Sequence, residues 1–340
     1  MNLLILDGCD ETQGASAAER LGPGWTVTPG RHSDPPDVLA SRLAVADAAV
    51  TQYWTADLPP APRLRLLQLP GAGFDAVDLD AVPAGCAVCN VYEHEIGISE
   101  YIVAALLERE IRIARMDSGL RRGEWRDGFA LGAPLHGELH GKTVGFVGYG
   151  RIARATARRL APFGVRMAAR TRSPDRSGPG AELVGDLAGI DRLDDMLPAV
   201  DYLVITCPLT ETTRGLIDAR RLARLGAAAV VVNVSRGPIV DEEALYAACR
   251  DGTIGGAVID TWYRYPDPSG GRGQRCLPSR FPFETLANVV MTPHASGWSA
   301  RLLERRWTVI VENLLRLERG EPLCNLLRPP AGANPAAGAP

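Results

Sequence analysis

The chain has 340 residues, 46% hydrophobic and 23% charged, close to globular averages. Neither wholesale disorder nor a fibrous protein fits, and the length predicts two domains. The 37 basic and 40 acidic residues leave a net charge of -3, without the basic excess of a nucleic-acid binder, and Lys142 is the only lysine.

In chain order, the opening apolar run stops at Asp7 and lacks a basic flank, so it reads as a buried strand rather than an export signal. No apolar stretch approaches the roughly 20 residues of a membrane helix, and the expectation is a soluble, cytoplasmic protein without membrane partners. Short apolar runs at 2–6, 48–51, 65–69, 143–148, 165–169, 202–206, 229–234, 256–259 and 289–292 alternate with helical patterns. Such alternation predicts an α/β fold of parallel sheets built from β-α-β units. Seven scattered cysteines suit a reducing compartment; Cys86 and Cys89 have C-x-x-C spacing but no second pair, and read as strand packing. A long helix is predicted over 99–116, with Ser99 near its start, followed by a polar, Gly-rich boundary at 117–141. A last amphipathic helix spans 299–319, with Leu302, Trp307, Ile310, Val311 and Leu314 at helical spacing and Gly320 closing it. Residues 329–340 contain only Pro, Gly, Ala and Asn and are expected to be disordered.

The richest segment is 143–160, where an apolar strand ends in Gly148-x-Gly150-x-x-Ala153 and passes into an amphipathic helix. Gly148 suits a tight turn, Gly150 lets backbone approach a pyrophosphate, and a small residue at 153 lets helix pack on strand. The helix N-terminus would face the phosphates. The next strand should end where the adenosine ribose is read, a place where NAD sites carry Asp or Glu. Here the residues are Arg170, Thr171, Arg172 and Ser173, with no acid before Asp175. Guanidinium and hydroxyl groups suit a 2′-phosphate, which predicts NADP(H), with NAD as the alternative; a surface cluster in an Arg-rich chain is the competing reading.

Further motifs follow in order: G-A-G-F-D at 71–75, C-P-L-T-E-T-T at 207–213, N-V-S-R-G-P-I-V-D-E-E-A-L at 233–245, G-A-V-I-D at 256–260 and T-P-H at 292–294. With these the chain resembles the D-isomer-specific 2-hydroxyacid dehydrogenase family from about residue 45 to residue 326. The resemblance implies two Rossmann-like domains, a nucleotide-binding domain (97–294) inserted into a flavodoxin-like substrate domain (1–96 and 295–328), with ligands in the cleft between them. It implies that Arg236 holds a substrate carboxylate, helped by backbone amides around Ala72 and Gly73, and that His294 is the acid-base residue. Gly148, Gly150, Arg151, Ile152, Thr171, Arg172, Ser173, Cys207, Pro208, Thr212, Val234 and Ser235 would line the cofactor site, with Asp260 at the nicotinamide amide. No metal is implied. A homodimer is, through the helix at about 99–116 and the arm after it, with Trp125, Phe129 and Leu131 as apolar anchors unless they pack on their own domain.

One departure stands out. The family pattern pairs its catalytic His with a Glu just before a Pro, and here Tyr265 precedes Pro266. A Tyr can orient the ring but stabilises its charge less, so Tyr265 joins Arg236 and His294 as a candidate catalytic residue. About ten extra residues, 267–276, follow it, and Glu93, His94 and Glu95 are candidate substitutes for the lost carboxylate. The implied activity is NAD(P)H-dependent interconversion of a 2-oxoacid, or a related small anionic carbonyl compound, and its D-2-hydroxy form. The alternatives are oxidation of a phosphite or phosphonate anion and a corepressor-like, dinucleotide-sensing protein without turnover.

Overall fold

The computed structural model describes residues 1–6, 11–128, 132–175, 177, 178, 180–267, 271 and 273–332. The chain divides into two compact units, Met1–Glu93 with Ala300–Pro340, and His94–Ser299.

The first unit runs β1 (Asn2–Leu6), α1 (Glu11–Leu21), β2 (Thr26–Gly30), α2 (Pro36–Val45), β3 (Ala48–Val50), β4 (Leu66–Gln68) and β5 (Ala87–Cys89). The second runs α3 (Glu95–Ile111), α4 (Ile113–Arg121), β6 (Thr143–Val147), α5 (Arg151–Leu160), β7 (Arg166–Thr171), β8 (Asp186–Gly189), α6 (Leu193–Met196), β9 (Tyr202–Ile205), α7 (Ala219–Leu222), β10 (Val230–Asn233), α8 (Glu242–Arg250), β11 (Gly256–Ile259) and β12 (Val289–Met291). The chain then returns to the first unit with α9 (Leu302–Arg319) and β13 (Leu326–Arg328).

In the first unit the strand order is β13-β5-β4-β3-β1-β2, parallel except for β13, which runs antiparallel to β5. This is the flavodoxin-like order with one added edge strand. Alternate residues of β1 feed opposite faces: Leu3 and Ile5 pack with Trp307, Ile310 and Leu314 of α9, while Leu4 and Leu6 pack with Leu39 and Leu43 of α2. A sheet covered on both faces needs apolar residues at successive positions, which is why these strands read as short apolar runs.

The second unit has seven parallel strands in the order β12-β11-β10-β9-β6-β7-β8. Strand order reverses between β6 and β9, and such a switch point is where doubly wound sheets open a crevice for a ligand. Val144 and Phe146 face one core, Val147 and Ile205 the other.

Three expected features differ. The long helix begins at Glu95, and Ser99 lies buried inside it, its hydroxyl donating to the Ile96 carbonyl (2.8 Å) rather than capping the N-terminus. That helix also breaks at Arg112, whose φ of 63° is left-handed, before α4 resumes. Of the tail expected to be disordered, Ala331 donates its N–H to the Ala84 carbonyl (2.7 Å), and 333–340 lie outside the described residues.

Candidate active site

The glycine turn sits at the switch point. Gly148 has a φ of 90°, and a Cβ there would press on the Cys207 backbone at 2.7–2.8 Å, so the fold itself requires glycine. Gly150 differs: its φ is negative, and a Cβ would meet nothing within 4 Å. The space above it is open, as close approach of a ligand requires. Gly150 is also the N-cap of α5 and supplies no side-chain cap, so the first turn keeps N–H groups for an anion. Arg151 is exposed, Ile152 half-buried, and Ala153 fully buried against the strand. These residues fit a dinucleotide pyrophosphate. The Ser235 hydroxyl donates to the Cys207 carbonyl and ties the loops after β9 and β10 together; Pro208 and Thr212 are exposed and Val234 is buried. Burial pushes the Cys207 thiol up to about 12, which leaves it inert.

At the end of β7 the four expected residues part company. Arg170 is 1% exposed and belongs to the fold, bonding Asp186 (2.6 Å) and the carbonyls of Arg192 (2.9 Å) and Ala169 (2.9 Å). It is therefore not a phosphate ligand. Arg172 and Ser173 are exposed and Thr171 half-buried, and the Arg172 guanidinium has no hydrogen bond or ion pair with any described residue. Arg154 of α5 bonds the carbonyls of Asp175 (3.1 Å) and Ser177 (2.9 Å), and Tyr149 donates to the Gly180 carbonyl (2.5 Å), so the loop after Arg172 is anchored.

Arg236 follows β10, held by its own carbonyl accepting from the Asn233 amide (3.0 Å) and by Nη1 donating to the Ser235 carbonyl (2.8 Å). His294 follows β12 on an exposed loop with a left-handed φ of 56°. That loop is pinned from below. Asp260, with no exposed surface, accepts from the Thr292 hydroxyl (2.6 Å) and the Ala295 N–H (2.8 Å) on one oxygen, and from the Ser296 N–H (3.0 Å) on the other. Asp260, expected at the nicotinamide amide, is an enclosed carboxylate that braces the histidine loop. Because Thr292 donates to Asp260, the Tyr101 hydroxyl of α3 must donate to Thr292 (2.7 Å). Tyr265 Oη lies 3.0 Å from His294 Nδ1 and also accepts the Trp262 backbone N–H (3.0 Å). The Trp262 indole donates to the Thr292 carbonyl (2.8 Å), so one buried tryptophan braces both sides of the Tyr-His pair. Sequence reasoning missed Trp262, Thr292 and Tyr101; a hydroxyl placed one residue before the T-P-H proline was the available signal for Thr292.

Residues 103–296 match the family model described as "D-isomer specific 2-hydroxyacid dehydrogenase, NAD binding domain". The chain belongs to this family. D-3-phosphoglycerate dehydrogenase of Mycobacterium tuberculosis is 33% identical over 328 residues, 94% of this chain, although the chain spans only 57% of that relative's length. Glyoxylate/hydroxypyruvate reductase B of Yersinia enterocolitica is 31% identical, over 93% of this chain and 94% of the relative. Among solved structures, a D-isomer specific 2-hydroxyacid dehydrogenase from Xanthobacter autotrophicus in complex with NADPH and MES is 29% identical, with a TM-score of 0.74 over 96% of this chain and 98% of that one.

In this family member the first unit carries a second group of candidates. After β4, the Ala72 carbonyl accepts from Asn90 (2.9 Å) and the Gly73 carbonyl from Gln52 (2.7 Å), while neither N–H has an acceptor among the described residues. Glu93 is committed within its own unit, where Arg305 bonds its carbonyl (3.1 Å) and lies 3.8 Å from its carboxylate. Cys86 and Cys89 are buried at β5, and burial pushes both thiols up to about 12. Trp125 is 63% exposed, whereas Phe129 and Leu131 lie outside the described residues. No helix among the described residues is long and apolar enough to cross a membrane.

Proposed function

We propose that the chain is an oxidoreductase that interconverts small 2-oxoacids and D-2-hydroxy acids, with NADP(H) preferred over NAD(H). What carries this reading is the gathering of Arg236, His294 and the glycine turn at the C-terminal edge of one parallel sheet, the edge where such folds act. Gly148, Gly150 and the first turn of α5 would hold the pyrophosphate. A nicotinamide cofactor bound there supplies or accepts hydride. Arg236, whose Nη1 donates to the Ser235 carbonyl and whose backbone carbonyl is held by the Asn233 amide, suits a planar carboxylate and polarises the adjoining carbonyl. In the first unit, the Ala72 and Gly73 N–H groups are donors of the kind a carboxylate takes. His294 Nε2 gives a proton to the carbonyl oxygen in reduction and takes one from the hydroxyl in oxidation.

The guanidinium of Arg172, without a partner among the described residues, with Thr171 and Ser173 beside it and no acid on the strand end, supports a 2′-phosphate. The relatives named for glyoxylate and hydroxypyruvate support a small substrate. Exposed Trp125 supports pairing of two copies through the arm after α4, which light scattering would read directly.

Following NADPH and NADH absorbance with glyoxylate, hydroxypyruvate, larger 2-oxoacids and, in the oxidative direction, phosphite tests the assignment. A 2-oxoacid should be reduced fastest with NADPH. His294→Asn should lower kcat by about 100-fold or more. Wild-type turnover in that variant, or no turnover of any 2-oxoacid by the parent chain, would overturn it.

A further inference from the structure

We propose that Asn90 and Gln52 are positioning residues for the substrate, fastening the loop after β4 so that the N–H groups of Ala72 and Gly73 stand as a pair for one carboxylate. The inference rests on the reading that the chain takes 2-oxoacids, and it lies wholly within the first unit.

A planar trans peptide points its C=O and the following N–H in opposite directions, so the partner of each carbonyl fixes where the next N–H goes. The pairing of β4 with β5 runs on past the strands, with the Leu69 N–H donating to the Cys89 carbonyl (2.8 Å) and the Val91 N–H to the Gly71 carbonyl (3.2 Å). In a continuing strand the next carbonyl, that of Ala72, would swing to the opposite side. Instead the Asn90 amide, one residue before Val91, donates to it (2.9 Å). Adjacent residues of one loop thus hold the carbonyls of Gly71 and Ala72, and the N–H groups of Ala72 and Gly73 both turn away from that loop. Two successive N–H groups on one side make a concavity for an anion, and a carboxylate brings an oxygen for each. Gln52, which follows β3 on the other flank of β4, donates to the Gly73 carbonyl (2.7 Å) and closes the far end. The Phe74 N–H is therefore not part of the pair.

These donors are open. Neither N–H has an acceptor among the described residues, and Ala72 and Gly73 are only half-buried, within reach of a small ligand. Asn90 is 2% exposed, and a reversed amide would set its oxygen against the Ala72 carbonyl oxygen, so Nδ2 is the group that faces Ala72. Its Oδ1 is then buried without a hydrogen-bond partner among the described residues. An apolar residue would avoid that cost, so the bond to the Ala72 carbonyl is the use the side chain serves. Gln52 is fitted as closely: a Cβ at Gly71 would lie 2.9 Å from its Oε1, so glycine there makes room for the side chain that reaches Gly73.

The test uses the full chain. Asn90→Leu keeps the size of the side chain but removes its donor, and KM for the 2-oxoacid should rise about tenfold or more while kcat changes by less than about twofold, because a carboxylate is held alike in ground and transition states. Gln52→Met, at a half-buried position, should raise that KM about threefold. KM for the dinucleotide should stay unchanged in both variants. Equal rises in the two KM values, or a loss confined to kcat, would mean that these side chains only support the fold, and would overturn the proposal. A second measurement needs no variant. Added to the 15N-labelled chain, oxalate, a planar dicarboxylate without a ketone, should move the amide protons of Ala72 and Gly73 downfield and leave that of Phe74 in place. Oxalate that competes with the 2-oxoacid without moving this pair would overturn the proposal, whether or not Asn90→Leu folds. Failure of the functional reading itself is separate, since it appears as no turnover of any 2-oxoacid by the parent chain.

Discussion

The ends of β11 and β7 lie in the same parallel sheet, and each presents a charged residue that sequence alone would assign to the cofactor. At β11, Asp260 spends both carboxylate oxygens on the loop that carries His294. At β7, Arg170 spends its guanidinium on Asp186 and nearby carbonyls, while Arg172, two residues on, has no such partner among the described residues. A charge whose hydrogen bonds are consumed within the fold holds the site in shape, and one left with open valences is available to a ligand. The difference is one of saturation, which residue type does not reveal.

Removing a saturated charge should cost stability, and removing an open one should cost specificity. The largest effect is expected at Asp260→Asn. One amide oxygen can keep the Thr292 hydroxyl and the Ala295 N–H, but the NH2 group would then face the Ser296 N–H, donor against donor. Urea denaturation should show a loss of about 2–4 kcal/mol, with turnover falling as the His294 loop loosens. Arg170→Met comes next, at about 1–3 kcal/mol: it strips donors from buried carbonyls, while half-exposed Asp186 can be solvated. The ratio of kcat/KM for NADPH and NADH should stay unchanged, and a shifted ratio would return Arg170 to the cofactor site. Thr171→Asp with Arg172→Ala should do the reverse, leaving the melting curve in place and moving that ratio about 100-fold towards NADH. An unmoved ratio would remove the basis for NADP preference.

Much of the architecture was legible because sheets covered on both faces require uninterrupted apolar strands, and the runs at 2–6, 143–148 and 256–259 match β1, β6 and β11 closely. The strands that escaped notice are edges. β2 contains Pro29 and has no buried residue, β8 begins with exposed Asp186, and β13 ends in Arg328 and has no buried residue, so none carries the apolar signature of a central strand. Ser99 misled because a hydroxyl that bonds back within a helix is spelled the same way as one that caps it. At the site, the family motifs pointed to Arg236, His294 and Tyr265, and the structure brings Tyr265 and His294 into hydrogen-bond contact. The brace was hidden because Trp262 acts through its backbone N–H and its indole at once, towards residues 3 and 30 positions away.

The same distinction between consumed and open applies to space as well as charge, and the glycine turn offers its mildest test. Gly148 is consumed by the fold, since its conformation and the Cys207 backbone leave no room for a Cβ. At Gly150, by contrast, the backbone is extended and the Cβ position empty. Gly150→Ala should therefore leave unfolding free energy within about 0.5 kcal/mol of the parent, because it adds no clash and removes some freedom from the unfolded chain. If a pyrophosphate packs against that backbone, the added methyl stands where the phosphate must come, and KM for the dinucleotide should rise about tenfold while KM for the 2-oxoacid changes little. An unchanged dinucleotide KM in a fully folded Gly150→Ala would mean that the open space is not the phosphate site, however well the turn matches the motif.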